Sequence, residues 1–263
     1  MECPFHSFYV STEEAKEIQR DLRGRVELSN TISFKDVEFI GGADVSFLTA
    51  VPDSSEVPAA DYVHALDSAH SPERKQQAEM EPEPSVSALA VIVVLDAATG
   101  SLVETVHAQA PVYFPYIPGL LSFREGPAVL AALGKLKTFP GVMCYDGCGI
   151  AHPRGFGLAS HMGILTGIPS VGCAKSRLCG THDEPGWEKG NWTELRFKKK
   201  LVGSCLRTRD NVRPVFVSPG NGFSVDGARD FVMACVDKYR LPEPTRLAHK
   251  YVTALKKELI THT

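Results

Sequence analysis

Residues 141–175 read GVMCYDGCGIAHPRGFGLASHMGILTGIPSVGCAK. An apolar run at 142–145 stops at Asp146, and a glycine-rich loop follows. Small residues over 156–165 are typical of a tightly packed helix, and a second apolar run covers 169–174. The stretch therefore predicts a strand, a loop, a helix and a second strand. Open α/β sheets bind ligands at the carboxyl ends of their strands, and Asp146 lies at such an end.

Three strands are predicted upstream, over 37–48, 86–96 and 101–112, joined as an antiparallel meander. The pair Gly41-Gly42 indicates a bulge or a close backbone approach. Helices are predicted over 11–25, from Leu120 to about 137, over 224–239 and over 245–260, and strands over 198–207 and 212–217, with 176–197 irregular. The order predicts an α/β protein with a mixed sheet and helices on both faces.

One segment interrupts this pattern. Residues 51–86 are rich in Pro, Ser, Ala, Glu and Asp and have no apolar period, which predicts a solvated, partly disordered insertion in a single domain spanning 1–263. Residues 51–85 hold eight acids and two bases, a net charge of −6, whereas the whole chain carries −3. The remainder is therefore mildly basic, which permits a phosphate-bearing partner.

The composition also limits the compartment. The longest apolar run, 88–95, is too short to cross a membrane, and the first residues do not resemble a signal peptide. The 7 cysteines include no CxxC pair, so neither a zinc site nor a disulfide framework is indicated. We expect reduced thiols in a cytoplasmic protein, or a nuclear one if the source is eukaryotic.

Three acids are the candidate catalytic residues: Asp44 in the first strand, Glu125 at the start of a helix, and Asp146. If the first strand lies beside the strand that ends at Asp146, the three carboxylates converge and repel one another. A divalent cation such as Mg²⁺ would remove that repulsion and support hydrolysis of a phosphodiester. Taken singly, two of the acids have another explanation, namely a turn or cap for Asp146 and a helix-dipole acid for Glu125, whereas a charge such as Asp44 between apolar residues is costly to bury unpaired.

Other polar residues leave two interpretations open. Lys175 and His152 either contact phosphate or are solvated and structural, whereas His161 is expected to be a packing residue. The run 198–200, together with Arg196 and Arg207, is either a phosphate contact or a solvated face. The turn 116–119 is either packed on the core or an exposed wedge for stacked bases.

Several stretches of the chain, taken in order, resemble endonuclease V, the inosine-directed nuclease family of the ribonuclease H-like superfamily. The matching stretches are GADVS (42–46), PYIPGLLSFRE (115–125), DGCGIAHPRGFGLASH (146–161), GCAK (172–175), SPG (218–220) and PEPTRLAH (242–249). They span nearly the whole chain except the insertion, and the resemblance implies a ribonuclease H-like mixed sheet.

The resemblance also implies roles for particular residues. It implies Asp44, Glu125 and Asp146 as ligands of Mg²⁺, for which Mn²⁺ substitutes, and Lys175 and His152 as phosphate contacts. The implied strand-separating wedge is Tyr116, Ile117 and Pro118, and the implied pocket for a flipped hypoxanthine base is Gly119, Leu121, Gly147 and Gly157. The implied activity is hydrolysis of the second phosphodiester 3′ to inosine in DNA or single-stranded RNA, by a monomer that leaves 3′-hydroxyl and 5′-phosphate ends.

Two positions depart from the family pattern. Asn221 follows Ser-Pro-Gly where the family carries a histidine expected beside the metal, so Asn221 is predicted at the catalytic centre without a proton to transfer. Cys148 replaces the usual Asn or His after Asp146-Gly147. The alternatives are an inosine-binding module weakened in catalysis by Asn221, in which Asn221→His would raise activity, and a ribonuclease H-like nuclease without inosine specificity.

Overall fold

The computed structural model describes residues 6–49 and 86–261. The predicted insertion lies outside these residues apart from Val86, and so does Cys3. The character of the insertion therefore stays a prediction.

The predicted meander is present. Strand β1 spans Phe39–Leu48, β2 spans Ser87–Asp96 and β3 spans Leu102–Pro111, and both pairings are antiparallel. The turn between β2 and β3 is closed by Asp96, whose Oδ1 accepts from the Thr99 amide at 2.8 Å. All of β2 except Asp96 is buried, because strands flank it on both sides and helices cover both its faces.

The sheet continues from β1 into residues 141–175. Strand β4 (Val142–Tyr145) pairs in parallel with β1, and β5 (Ser170–Ala174) pairs in parallel with β4. Three further strands, β6 (Trp192–Phe197), β7 (Lys200–Leu206) and β8 (Val215–Asn221), extend it with antiparallel pairings. The order within the described residues is β3-β2-β1-β4-β5-β8-β7-β6.

Helices cover both faces, as predicted. The described helices are α1 (Thr12–Arg23), α2 (Leu121–Leu133), α3 (Leu158–Thr166), α4 (Val225–Ala234) and α5 (Glu243–Thr261). Alternate residues of β2 show the two sides: Ile92 lies in the core formed with α2 and α3, whereas Val91 lies in the core formed with α5. Helix α4 packs on β4, β5 and β8 through Phe231 and Val232.

Several predicted boundaries differ from the structure; besides β8, which spans Val215–Asn221 instead of 212–217, and α2, which ends at Leu133, there are three others. The segment 176–197 contains β6, whose inward Leu195 is buried but whose alternation is obscured by a tryptophan and charged residues. Lys198 and Lys199 form the hairpin turn with φ of 49° and 66° rather than the start of a strand. Helix α4 ends at Ala234, five residues before the predicted end.

None of the helices in the described ranges is both long enough and apolar enough to cross a membrane.

Candidate active site

Asp44 and Asp146 lie side by side because β1 and β4 run parallel. Ala43 pairs with Tyr145, and the Asp146 amide donates to the Ala43 carbonyl at 3.4 Å. One further residue along each strand therefore brings the two carboxylates to the same part of the sheet. The condition under which the sequence predicts that the acids converge is therefore met.

Glu125 approaches the two aspartates from α2. It is only 8% exposed, and burial raises its pKa to about 8, with further contributions from the charges of Asp44 and then Asp146. Burial likewise raises the pKa of Asp44, and Asp146 raises it further. The three carboxylates therefore act on one another, as expected of acids that share a site.

Two of the simpler explanations, a helix cap for Asp146 and a helix-dipole acid for Glu125, do not fit. Helix α3 begins at Gly157 as its N-cap residue, so Asp146 does not cap it. Glu125 is the fifth residue of α2 and faces the protein interior, whereas an acid placed for the helix dipole belongs in the first turn.

Two basic side chains contact the aspartates. The Lys175 ammonium donates to Oδ2 of Asp146. The ring of His249 lies with Nδ1 2.7 Å from Oδ2 of Asp44, and this contact opposes the rise in the Asp44 pKa. The Lys175 and His249 side chains are 40% and 53% exposed. Both can therefore meet a ligand that enters from solvent.

His249 is the site residue that the sequence analysis missed. Its position follows from Gly42, where an added Cβ would lie 2.2 Å from the Pro244 carbonyl. Without a side chain at Gly42, the start of α5 packs directly on β1, and His249 reaches Asp44 just over one turn later. The signal was available, since Gly41-Gly42 predicted a close backbone approach two residues before Asp44.

The metal expected at the three acids can be tested against the donors present. Across residues 6–49 and 86–261, no group of three or more His, Cys, Asp and Glu side chains already stands in position to hold an ion. Asp146 instead binds Lys175, and Asp44 binds His249. The donor chemistry fits Mg²⁺, because carboxylate oxygens are its preferred protein ligands and a cation would relieve the repulsion that raises the Glu125 pKa.

Asn221 does not join the acids, so its predicted position at the catalytic centre is wrong. It pairs with Ser170, the first residue of β5, whereas Lys175 follows the last. At about 3.3 Å per residue these ends are roughly 16 Å apart. Because β8 runs antiparallel to β5, its last residue lies at the opposite end, where Asn221 Oδ1 accepts from the Glu27 amide at 2.9 Å. Nothing in the structure supports a gain of activity from Asn221→His.

The segment before α2 forms a tight turn. The Leu120 amide donates to the Ile117 carbonyl at 2.9 Å, and Gly119 has a φ of 82°, which suits a type II turn with Pro118 second and glycine third. Ile117 packs inward, whereas Tyr116 is 71% exposed. The turn therefore presents a rigid aromatic side chain to solvent, and its role as a wedge stays a prediction.

His152 supports this turn from inside the protein. Its side chain is buried, and Nδ1 lies 3.2 Å from the Arg154 amide, which can only donate. Nε2 therefore carries the proton and donates to the Gly119 carbonyl at 2.9 Å. With both nitrogens engaged, His152 makes no phosphate contact in this arrangement, and the predicted catalytic role is not favoured.

The four residues predicted to line a base pocket have different surroundings. A Cβ added at Gly147 would make only ordinary contacts with Leu158, so the backbone there has room. A Cβ at Gly157 would lie 2.4 Å from the Cys148 carbonyl oxygen, so this glycine is needed for backbone packing. Leu121 is half-buried, and the Gly119 backbone is occupied by His152. Base binding by these residues stays a prediction.

Arg207 is not available to bind phosphate. Its side chain is 1% exposed, and its guanidinium donates to the carbonyls of Gly186 and Pro185 and to Glu184. Of the two interpretations of the basic run, a phosphate contact involving Arg207 is wrong. His161 is buried and its Nδ1 lies 2.8 Å from the Ser122 hydroxyl, which confirms the expected packing role.

His152 should make the fold sensitive to acid. Burial lowers its pKa to about 4, whereas the unfolded chain takes up the proton near 6.5. Between these values the unfolded state binds more protons, so stability falls as pH falls, by about 3 kcal/mol over the window. His152→Gln keeps a donor for the Gly119 carbonyl but has no ring to protonate, so it removes this pH-dependent loss of stability.

Urea unfolding at pH 7 and pH 5 measures the effect. The loss of stability between the two pH values should be smaller in His152→Gln than in the wild type. His107→Gln, which changes an exposed histidine, should show the wild-type loss. Equal losses in all three proteins would contradict the assignment of His152 as a buried neutral ring.

A meander continued by two parallel strands, with acids where β1 and β4 adjoin, defines a ribonuclease H-like fold, which is the predicted class. The family model of endonuclease V matches residues 61–250. Endonuclease V of Rippkaea orientalis is 42% identical over 240 residues, which cover 91% of this chain and 89% of that protein. The chain belongs to the endonuclease V family and is an endonuclease.

Solved structures agree with this assignment. Endonuclease V from Streptomyces avermitilis is 37% identical with a TM-score of 0.78, covering 97% of this chain and 96% of that chain. Endonuclease V of Ciona intestinalis is 26% identical with a TM-score of 0.71, covering 94% of this chain and 98% of that one. The Ciona protein was crystallised with a 24mer DNA containing an inosine followed by a ribo-adenosine.

Proposed function

We propose that this endonuclease recognises inosine or deoxyinosine in nucleic acid and hydrolyses the second phosphodiester on its 3′ side. The observation that carries the proposal is the mutual approach of Asp44, Glu125 and Asp146, with an exposed aromatic turn immediately before the helix that holds Glu125. The Ciona relative, bound to inosine-containing DNA, supports the same class of substrate.

The cutting centre depends on a divalent cation held by Asp44, Glu125 and Asp146, with His249 beside Asp44. When bound, Mg²⁺ or Mn²⁺ supplies an activated water and stabilises charge on the leaving 3′-oxygen. The carboxylates fix its position, and Glu125 gives up the proton that its raised pKa otherwise retains near neutral pH. Lys175, which donates a hydrogen bond to Asp146, neutralises a phosphate oxygen of the substrate.

Selectivity for inosine comes from the turn at 116–119 and from the loop after β4. Tyr116 enters the base stack beside the modified base, and an inosine pair is weak enough to open at low cost. The freed base lies against Gly119, Leu121, Gly147 and Gly157. The enzyme acts as a monomer, and the free, mostly buried thiols of its described cysteines suit the reducing cytoplasm or nucleus.

Matched oligonucleotides test the proposal. The wild-type protein is incubated with DNA and RNA strands that contain either inosine or adenosine at one position, with Mg²⁺ and with EDTA. We expect Mg²⁺-dependent cutting of the inosine strands at the second phosphodiester 3′ to inosine, with a 5′-phosphate on the downstream product. Equal cutting of inosine and adenosine strands would overturn the inosine specificity, and tight binding without product would overturn the nuclease assignment.

A further inference from the structure

A buried glutamine on the first helix has both of its amide atoms hydrogen-bonded. Gln19 lies on α1 and is 1% exposed. Its Nε2 donates to the Gly119 carbonyl at 3.0 Å and to the Phe156 carbonyl at 3.1 Å. Its Oε1 accepts from Nε of Arg154. The arginine can only donate, so the orientation of the Gln19 amide is fixed.

These bonds converge on one carbonyl of the exposed turn. The Gly119 oxygen accepts from Gln19, from His152 at 2.9 Å and from the Arg154 guanidinium. A carbonyl with three side-chain donors is held in direction as well as in position. Gly119 is the residue of the turn whose backbone is in the left-handed region. Fixing the orientation of its carbonyl therefore also fixes the direction in which residues 116–118 project.

Apolar contacts join the same two elements. Ala15 of α1 lies in one small core with Leu120, and Ile18 and Ile117 pack against that core. One face of α1 therefore supports the turn through both hydrophobic packing and hydrogen bonds. Glu125 and the aspartates do not take part in this network, so its effect is separable from the cutting centre.

We propose that Gln19 is a positioning residue for strand separation: it fixes the turn that carries Tyr116 and so determines how well inosine is recognised in paired nucleic acid. The inference rests on the proposed function, since it assumes that Tyr116 opens the duplex. Loss of Gln19 leaves the carboxylates in place but lets the turn move. Cutting of an already unpaired inosine needs no wedge, so cutting of the paired substrate suffers more.

Two substitutions separate the bonds of Gln19 from its volume. Gln19→Met keeps a side chain of similar length without donors, and Gln19→Glu keeps a partner for Arg154 but cannot donate to the Gly119 and Phe156 carbonyls. We expect both to lower the ratio of kcat/KM on paired to unpaired inosine DNA about tenfold, because both lose the two hydrogen bonds that Nε2 donates. If Gln19→Met does not fold, the proposal is tested with Gln19→Glu alone.

Ser170→Ala is the matched control. Ser170 is also fully buried, and its hydroxyl donates to the Ala159 carbonyl at 2.8 Å, so this variant removes a buried hydrogen bond in which no residue of the turn takes part. Its paired-to-unpaired ratio should equal that of the wild type even if its melting temperature falls. A purely structural role of Gln19 would reproduce this behaviour and would overturn the proposal.

A readout without cutting completes the experiment. A 2-aminopurine base placed beside inosine in a duplex becomes fluorescent when it is unstacked, and it can be followed in EDTA. The wild type should raise the fluorescence and both Gln19 variants should raise it less; an equal rise would also overturn the proposal. A wild type that cuts neither inosine substrate refutes the proposed function, whereas a cutting wild type with unchanged Gln19 variants refutes only the positioning role.

Discussion

Replacing Asp146 with asparagine is expected to lower cutting about a thousandfold and leave the protein folded. The amide keeps the shape of the side chain but lacks the charge that binds Lys175 and, in our proposal, a divalent cation. The fold should tolerate the change because Asp146 raises the pKa of both Asp44 and Glu125 by repulsion. Removing one negative charge relieves that repulsion, so the melting temperature in EDTA should stay equal or rise.

Single-turnover cutting of an inosine strand with Mg²⁺ measures the loss, and thermal unfolding in EDTA measures the stability. Asp226→Asn makes the same chemical change at a side chain that is 71% exposed and paired with Arg229 on α4, and it should leave cutting unchanged. Turnover of Asp146→Asn at the wild-type rate would remove Asp146 from the catalytic centre.

Replacing Tyr116 with alanine should cost the enzyme its activity on paired inosine more than on unpaired inosine. The side chain is 71% exposed on a turn whose backbone is fixed at Gly119, so truncation removes an aromatic surface without opening the core. Stacking of one base on an aromatic ring contributes about 1–3 kcal/mol. Cutting of the duplex should therefore fall roughly ten- to a hundredfold.

The ratio of kcat/KM on duplex and single-stranded inosine DNA measures this effect. Phe139→Ala is the control, since Phe139 is 66% exposed and precedes β4, at the end of the strand opposite Asp146. That variant should keep the wild-type ratio. An equal loss on both substrates in Tyr116→Ala would contradict the role of Tyr116 in strand separation.

Local patterns in the sequence were sufficient to predict the elements that form the catalytic centre. Two apolar runs end clearly at Asp146 and Lys175. The meander that contains Asp44 shows a clear hydrophobic pattern with turns between its strands. That β1 lies beside β4 was only a condition of the sequence-based hypothesis, and the parallel pairing of the two strands supplies it. Glu125 could be placed only as the start of a helix, since its burial depends on how α2 packs.

The identity of the histidine beside the acids could not be predicted from local pattern. His249 and Asp44 are separated by 205 residues, and their contact depends on the packing of α5 against Gly42. Asn221 was predicted at the centre because it follows Ser-Pro-Gly where the family carries a histidine. Because β8 runs antiparallel to β5, Asn221 lies at the opposite end of the sheet. The strand β6 was missed because its exposed face bears Trp192 and charged residues that hide the alternation.

The close packing of α5 on Gly42 also determines when the contact between Asp44 and His249 can form during synthesis. The three acids are translated early, yet Asp44 meets His249 only after the last described helix has been made and has docked. Domains fold largely from the N-terminus during synthesis, so a nascent chain holds an incomplete nuclease until that point. The order of translation therefore means that this contact beside the acids forms only after residues 243–261 have been made.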